Sequence, residues 1–323
     1  MPISDQIQRY VWEFSTLRVD KSSGISAPHK PILLLSVLQA LKSGLIRNRF
    51  IEITPELVAL FKSNWSLLVM TEHQCRMSYP FFHLKSSKFW KLHPKPGYEK
   101  AIIGSTKSPS LNQLMEMITF AELNEELFEL MRQDSGNGIL REVLLQTYFP
   151  QAKNELVVEQ EQQDLFREYE QRILVEDPIT YAIETKRLLE KNEQEEVFIR
   201  GGAFKREIPK IYDYTCCISR LRISSSSDIS MIDACHIRPF AESYDDTITN
   251  GIALSPSLHR AFDRGLISIS AEYRVMVSSQ FSESEVAHSI RPLSDQEILL
   301  PQLSQYKPSQ ENLKWHREIR FLV

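Results

Sequence analysis

The segment 232–265 most constrains the fold, because two short apolar stretches and a helix start follow one another within it. The first stretch ends at His236 and the second ends at Leu254. Ser255-Pro256 is typical of a helix start, with Ser as the N-cap and Pro in the first turn. This order predicts two strands followed by one helix, a compact ββα unit.

Three polar residues stand at fixed intervals in this segment. Asn250 follows His236 by 14 residues, and His259 follows Asn250 by nine. Each residue alone also has a structural explanation; Asn250-Gly251, for example, is a common hairpin turn. Together, in this order and context, they resemble the HNH endonuclease family, also called ββα-metal nucleases, over roughly residues 200–280.

The resemblance assigns a chemical role to each residue. His236 would be the general base that deprotonates water, a task suited to an imidazole that titrates near neutral pH. Asn250 would hold the loop of the active site and help to orient that histidine. His259 and Asp263 lie four residues apart on one helix face and would bind one divalent ion, which stabilises charge at the scissile phosphate.

The third metal ligand has two candidates. Many family members carry Asp or His directly before the base, where this chain has Cys235. Asp233 is the other candidate, but on a regular strand it would face away from His236. Two protein ligands with added waters would favour Mg²⁺ or Mn²⁺. A cysteine ligand would favour Zn²⁺ or Ni²⁺, and Co²⁺ is also compatible.

Two segments of the N-terminal half carry a second resemblance. They are 27–35, which contains His29-Lys30 between two prolines, and 76–84, which contains Tyr79-Pro80. Over roughly residues 5–150 the chain resembles the sulfur-binding domain of phosphorothioate-dependent restriction endonucleases, in which that domain is fused to a C-terminal HNH module.

The second resemblance predicts a DNA-reading site. The family builds its sulfur pocket around the Tyr-Pro pair, because an apolar pocket favours sulfur over a strongly hydrated oxygen. His29 and Lys30 would contact the phosphate backbone and nearby base edges. Arg76 belongs to the same segment, and His83 stands where relatives carry a small pocket residue.

The expected fold class is α+β, in three parts. Residues 1–150 form a mostly helical sulfur-binding domain with a small β-hairpin, in which 79–84 pairs with 89–92. Residues 151–198 form an acidic helical connector, and residues 199–323 form the HNH endonuclease domain. The length of 323 residues is enough for two domains that each bury a core.

The overall composition excludes some classes of protein. The net charge of −4 argues against a surface that is basic throughout, although not against a local basic patch. The four cysteines form no pair of CxxC motifs, so a structural zinc held by four thiolates is not expected. The sequence shows neither a signal peptide nor a membrane-spanning stretch, which predicts a cytoplasmic protein without membrane contact.

The expected function is modification-dependent restriction: recognition of phosphorothioated double-stranded DNA, followed by hydrolysis of the backbone nearby. One HNH site cuts one strand, so a double-strand cut implies a homodimer or two independent nicks. Three alternatives remain open. The N-terminal domain could read methylated or hydroxymethylated bases, the protein could bind DNA without cutting it, or it could be a toxin-like nuclease.

Overall fold

A computed structural model describes residues 3–19, 26–104, 107–151, 164–223, 230–284, 286 and 289–323. These residues form two compact units, Met1–Arg167 and Glu168–Val323. Residues 152–163, at the start of the predicted connector, lie outside the described residues. The finer three-part division stays a prediction.

The first unit is mostly helical, as predicted. Its helices are α1 (Ile3–Ser15), α2 (His29–Lys42), α3 (Pro55–Leu68), α4 (Ser78–His83), α5 (Glu99–Gly104), α6 (Leu111–Met117), α7 (Glu125–Arg132) and α8 (Asp134–Tyr148). Helix α2 is buried on nearly every side and packs against α3, α4, α7 and α8. This central position explains its almost entirely apolar sequence. Thr54 caps α3, because its side chain accepts a hydrogen bond from the Leu57 backbone N–H.

The small sheet of this unit differs from the predicted hairpin. It has three antiparallel strands, β1 (Phe50–Ile51), β2 (Trp90–Pro94) and β3 (Ile118–Leu123), in the order β1-β3-β2. Strand β2 thus pairs with a segment that follows much later in the chain, with Trp90 opposite Leu123.

The predicted partner of β2, residues 79–84, is instead helix α4 followed by a single 3₁₀ turn. Pro80 fits there because it lies in the first helical turn, where a backbone N–H has no partner within the helix. Phe81, Phe82 and Leu84 are all fully buried. Such a short, uniformly apolar run has no periodicity that could separate a strand from a buried helix.

The second unit contains the predicted two strands and helix. Its helices are α9 (Asp164–Val175), α10 (Pro178–Glu190), α11 (Gln194–Ile211), α12 (Phe240–Ser243), α13 (Pro256–Asp263) and α14 (Gln310–Ile319); α9 begins just before this unit. Its strands are β4 (Asp233–His236), β5 (Gly251–Leu254), β6 (Ile267–Ile269) and β7 (Val275–Val277). Helix α11 crosses the predicted boundary at residue 198 and packs against β4 and β5. The expected α+β class is therefore confirmed.

Helix α13 begins where the sequence predicts. Ser255 is its N-cap and Pro256 its first residue, but the Ser255 side chain makes no capping hydrogen bond. Within the described residues, no helix is both long enough and apolar enough to cross a bilayer.

Candidate active site and DNA-reading face

Strands β4 and β5 separate two groups of functional side chains. They pair without a bulge, from Asp233 opposite Leu254 to His236 opposite Gly251. Because side chains alternate along a regular strand, Asp233 and Cys235 share one face while His236 lies on the other. The sequence predicts this separation of Asp233 from His236 for a regular strand.

The first face and helix α13 together carry a group of side chains that could hold a metal ion, called the metal-ligand cluster below. One ligand atom from each of Cys235, His259 and Asp263 lies within 4.8 Å of the others. The Nε2 atom of His259 is 3.5 Å from a carboxylate oxygen of Asp263, as expected for residues four apart on a helix. Of the two candidates for third ligand, the structure therefore brings Cys235 into the cluster.

Asp233 lies beside the cluster. Its carboxylate is 3.2 Å from Nδ1 of His259, while Nε2 of the same ring faces Asp263. A carboxylate that binds one ring nitrogen fixes the orientation of a metal-ligating histidine and makes it more basic. Asp233 is thus placed to orient His259.

The chemistry of the donor set fits a divalent cation. It combines one sulfur, one imidazole nitrogen and one carboxylate oxygen, all of which are common ligands of Zn²⁺ and related ions. Burial raises the pKa of the Cys235 thiol well above its usual range, and the nearby Asp263 raises it further. Because metals bind the thiolate, a bound cation would have to offset this cost.

The other face of β4 presents His236. Its Nε2 atom is 2.8 Å from Oδ1 of Asp246, and its ring stacks on Phe204 of α11 at 3.9 Å between centroids. Asp246 is almost fully buried, whereas the His236 side chain is 23% exposed. The imidazole is therefore fixed by protein contacts while part of it faces solvent.

Asn250 closes the loop between the two strands. Its side chain is fully buried and accepts a hydrogen bond from the Arg238 backbone N–H. Its amide nitrogen donates to the carbonyl oxygens of Arg238 and Asp245, each at 2.9 Å. All of these partners are backbone groups of the loop that follows His236. The geometry agrees with the loop-holding role that the resemblance assigns to Asn250.

In the first unit, Tyr79 and His83 lie on one face of α4. They are four residues apart and half-buried, and Pro80 between them is buried. The Arg76 guanidinium donates a hydrogen bond to the Tyr79 hydroxyl at 3.2 Å. The His29 ring lies 5.9 Å from the Tyr79 ring, between centroids. The fold thus brings His29 close to Arg76 and Tyr79, which lie much later in the sequence.

Lys30 and His83 interact with each other through charge and have hydrogen-bond partners of their own. Lys30 is only 8% exposed, and its ammonium donates to the Arg18 carbonyl at 2.8 Å and to the Ser86 hydroxyl at 3.2 Å. Burial lowers the pKa of Lys30 to about 8. His83 lies 2.6 Å from the Ser108 hydroxyl, and its pKa is lowered by burial and by the positive charge of Lys30. The contact of Lys30 with DNA phosphate stays a prediction.

Comparisons with known proteins assign both units. Residues 216–270 match the family described as HNH endonuclease, and residues 7–161 match the family described as ScoMcrA-like, DNA sulfur-binding domain. The chain joins a DNA sulfur-binding domain to an HNH endonuclease domain. Both resemblances noted in the sequence are therefore confirmed.

Other comparisons are more distant. A search of the curated proteins finds no significant match. A solved structure titled "Modification dependent TagI restriction endonuclease" aligns with 15% identity and a TM-score of 0.28, and the alignment covers 36% of this chain and 36% of that one. A TM-score this low does not establish a common fold.

Three residues that support His236 were not predicted from the sequence. Asp246 touches His236 from the loop, Phe204 stacks on its ring from α11, and Tyr181 of α10 donates a hydrogen bond to Asp246. Phe204 and Tyr181 lie before the region matched to the HNH family. No local pattern marks these two, because their importance arises only when α10 packs against α11 and α11 packs against β4.

Proposed function

We propose that this protein is a modification-dependent restriction endonuclease that binds phosphorothioated double-stranded DNA and hydrolyses the backbone nearby. One observation carries the proposal: a single chain holds a DNA sulfur-binding domain and an HNH domain with His236, Asn250 and His259 all in place. The first domain would choose the DNA and the second would cut it.

In the proposed reaction, His236 takes a proton from the attacking water. The water oxygen forms a bond to phosphorus, the bond from phosphorus to the leaving oxygen breaks, and the leaving oxygen gains a proton from solvent. Asn250 keeps the loop after His236 in place through its backbone hydrogen bonds. A divalent ion held by Cys235, His259 and Asp263 would supply charge stabilisation at the phosphate.

The identity of the ion is part of the proposal. HNH endonuclease domains use a divalent metal, and a site with only His259 and Asp263 as ligands would favour Mg²⁺ or Mn²⁺. The presence of Cys235 in the cluster favours Zn²⁺, Ni²⁺ or Co²⁺ instead, because thiolates prefer softer ions.

Sulfur recognition is proposed for the face formed by Tyr79 and His83 on α4. The ring of Tyr79 and the nearby Pro80 supply apolar surface, while His29 and Arg76 add groups that can contact a phosphate or a base edge. His83 would narrow the pocket relative to a small residue. Cutting both strands would require a homodimer or two independent nicks. The cytoplasm is the predicted compartment.

The first test is binding by the full-length His236→Ala variant to matched duplexes, one with a single phosphorothioate and one unmodified, at the same salt concentration. We expect at least a tenfold preference for the modified duplex, which corresponds to about 1.4 kcal/mol. Wild-type protein with divalent metal should cut the modified duplex, whereas the variant should bind it and leave it intact.

Two outcomes would contradict the proposal. Normal cutting by His236→Ala would remove the assigned base. Equal affinity for the two duplexes would remove phosphorothioate as the target, and methylated and hydroxymethylated duplexes in the same assay would then test base modification.

A further inference from the structure

The imidazole of His236 is held by residues other than Asn250, His259 and the proposed metal ligands. We propose that Asp246 is a positioning residue that selects the tautomer of His236 needed for proton abstraction, with Tyr181 and Phe204 completing the support. This inference rests on the proposed function, because it describes how the base of that nuclease site is prepared.

The hydrogen bond between His236 and Asp246 decides the tautomer. An ionised carboxylate can only accept hydrogen bonds, so the Nε2 atom that lies 2.8 Å from Asp246 must carry the hydrogen. In the neutral ring the lone pair is then on Nδ1. Within the described part of the chain, Nδ1 of His236 has no hydrogen-bond partner. Nδ1 is therefore the atom available to take a proton from water.

Phe204 fixes the plane of the imidazole. The two rings are nearly parallel, with 8° between their planes and 3.9 Å between their centroids. Gly251, opposite His236 on β5, permits this packing, because a Cβ atom there would lie 2.8 Å from Cε2 of Phe204. Rotation of the His236 ring away from Asp246 would break both the stack and the hydrogen bond.

Tyr181 supports the other oxygen of the carboxylate. Its hydroxyl donates to Oδ2 of Asp246 at 3.4 Å, and the tyrosine is fully buried. Burial raises the pKa of Tyr181, so the hydroxyl stays protonated and acts as a donor. The Arg200 guanidinium lies 4.9 Å from the Tyr181 ring and forms an ion pair with Glu184 at 3.0 Å. These contacts extend the support of His236 into α10 and α11.

In the proposed step, a proton moves from water to Nδ1 of His236, and the electron pair that it leaves on oxygen forms the new bond to phosphorus. The bond from phosphorus to the leaving oxygen breaks, and that oxygen gains a proton from solvent. The resulting imidazolium keeps its Nε2–H directed at Asp246, whose negative charge stabilises it. Asp246 never takes the proton, so it acts through His236 alone.

The test compares Asp246→Asn with wild type in the full-length protein. An asparagine can present its amide N–H₂ to Nε2 and so favour the wrong tautomer, and it lacks the charge that stabilises the imidazolium. We expect the single-turnover rate of cleavage to fall at least about 100-fold, with DNA affinity unchanged within threefold. Tyr181→Phe should lower the rate by a smaller factor, about three- to tenfold.

Glu207→Gln is the control. Glu207 is also a buried carboxylate of this unit, but it accepts a hydrogen bond from the Lys210 ammonium and not from His236. Glutamine can still accept that bond, so the rate should stay within about threefold of wild type.

A spectroscopic readout separates this inference from the proposed function. In ¹⁵N-histidine-labelled protein without DNA, His236 should show hydrogen on Nε2 in wild type and in Glu207→Gln, and a shift toward hydrogen on Nδ1 in Asp246→Asn. This result would support the inference even if the wild-type protein cut no DNA. An unchanged tautomer or a normal cleavage rate in Asp246→Asn would overturn it. If Asp246→Asn fails to fold, the cleavage rate of Tyr181→Phe decides: a fall of about three- to tenfold supports the inference, and an unchanged rate overturns it.

Discussion

At the scale of single residues, the second unit contains a buried histidine, His316, whose environment is the opposite of that of His236. His316 is 1% exposed, stacks on Phe262 at 3.7 Å, and has both ring nitrogens bonded, one to the Ser268 hydroxyl at 2.8 Å and one to the Phe262 carbonyl at 3.0 Å. Because a carbonyl only accepts, Nε2 carries the hydrogen and Nδ1 accepts from serine. In the neutral ring both nitrogens are thus hydrogen-bonded.

This neutral histidine predicts a loss of stability in acid. Burial lowers the pKa of His316 to about 4 from 6.5, with smaller effects from Arg320 and Arg317. Below pH 6.5 the unfolded chain binds a proton that the folded domain excludes. The contribution of His316 to the free energy of unfolding is therefore complete above pH 6.5. It is lost as the pH falls toward 4, and the loss is about 3 kcal/mol at most.

His316→Gln provides the control, because glutamine keeps a donor and an acceptor but does not titrate. Unfolding of the wild type and of the variant in urea is measured at pH 7 and at pH 4.5, with hydrogen exchange of peptides that cover 262–277 as the readout. Between pH 7 and pH 4.5, the free energy of unfolding should decrease more for the wild type than for the variant. Parallel decreases in the two proteins would rule out His316 as the source.

At the scale of elements, the metal-ligand cluster depends on α13 facing β4. We expect Co²⁺ bound to the wild-type protein to give a thiolate-to-metal charge-transfer band, because Cys235 belongs to the cluster with His259 and Asp263. Cys235→Ala should abolish that band and weaken Co²⁺ and Zn²⁺ binding more than Mn²⁺ binding. Cys217→Ala, which changes a buried cysteine outside the cluster, is the control. A band that survives Cys235→Ala would exclude the sulfur as a ligand.

The same elements show what the sequence can and cannot predict. The spacing of His236, Asn250 and His259 predicts the ββα unit, because strand, loop and helix follow one another locally. Residues 79–84 were wrongly predicted as a strand, since their apolar run lacks a period and the true partner of β2 is β3. The support of His236 by Phe204 depends on packing of α11 against β4, which no local pattern encodes.

At the scale of the whole molecule, the chain divides its proposed tasks between two units that each have their own core. The residues proposed to read DNA lie in the first unit, and those proposed to cut it lie in the second. Changes confined to the face of α4 should therefore alter the choice of DNA without altering the chemistry of cleavage.

Tyr79→Ala tests this division. Removing the ring takes away apolar surface beside Pro80 and the acceptor of the Arg76 hydrogen bond at 3.2 Å, but leaves every residue around His236 in place. We expect affinity for phosphorothioated DNA to fall at least about tenfold and affinity for unmodified DNA to change little. At enzyme concentrations high enough to saturate unmodified DNA, the rate of cleavage should equal that of wild type.

Tyr79→Phe separates the two contributions of this side chain. It keeps the ring and loses only the hydroxyl, so it should retain most of the preference for sulfur if apolar contact provides the discrimination. Equal losses of affinity on modified and unmodified DNA in Tyr79→Ala would instead indicate a general electrostatic or folding defect, and α4 would then lose its role as the reading face. A lower cleavage rate on saturated unmodified DNA would show that the two units do not act independently.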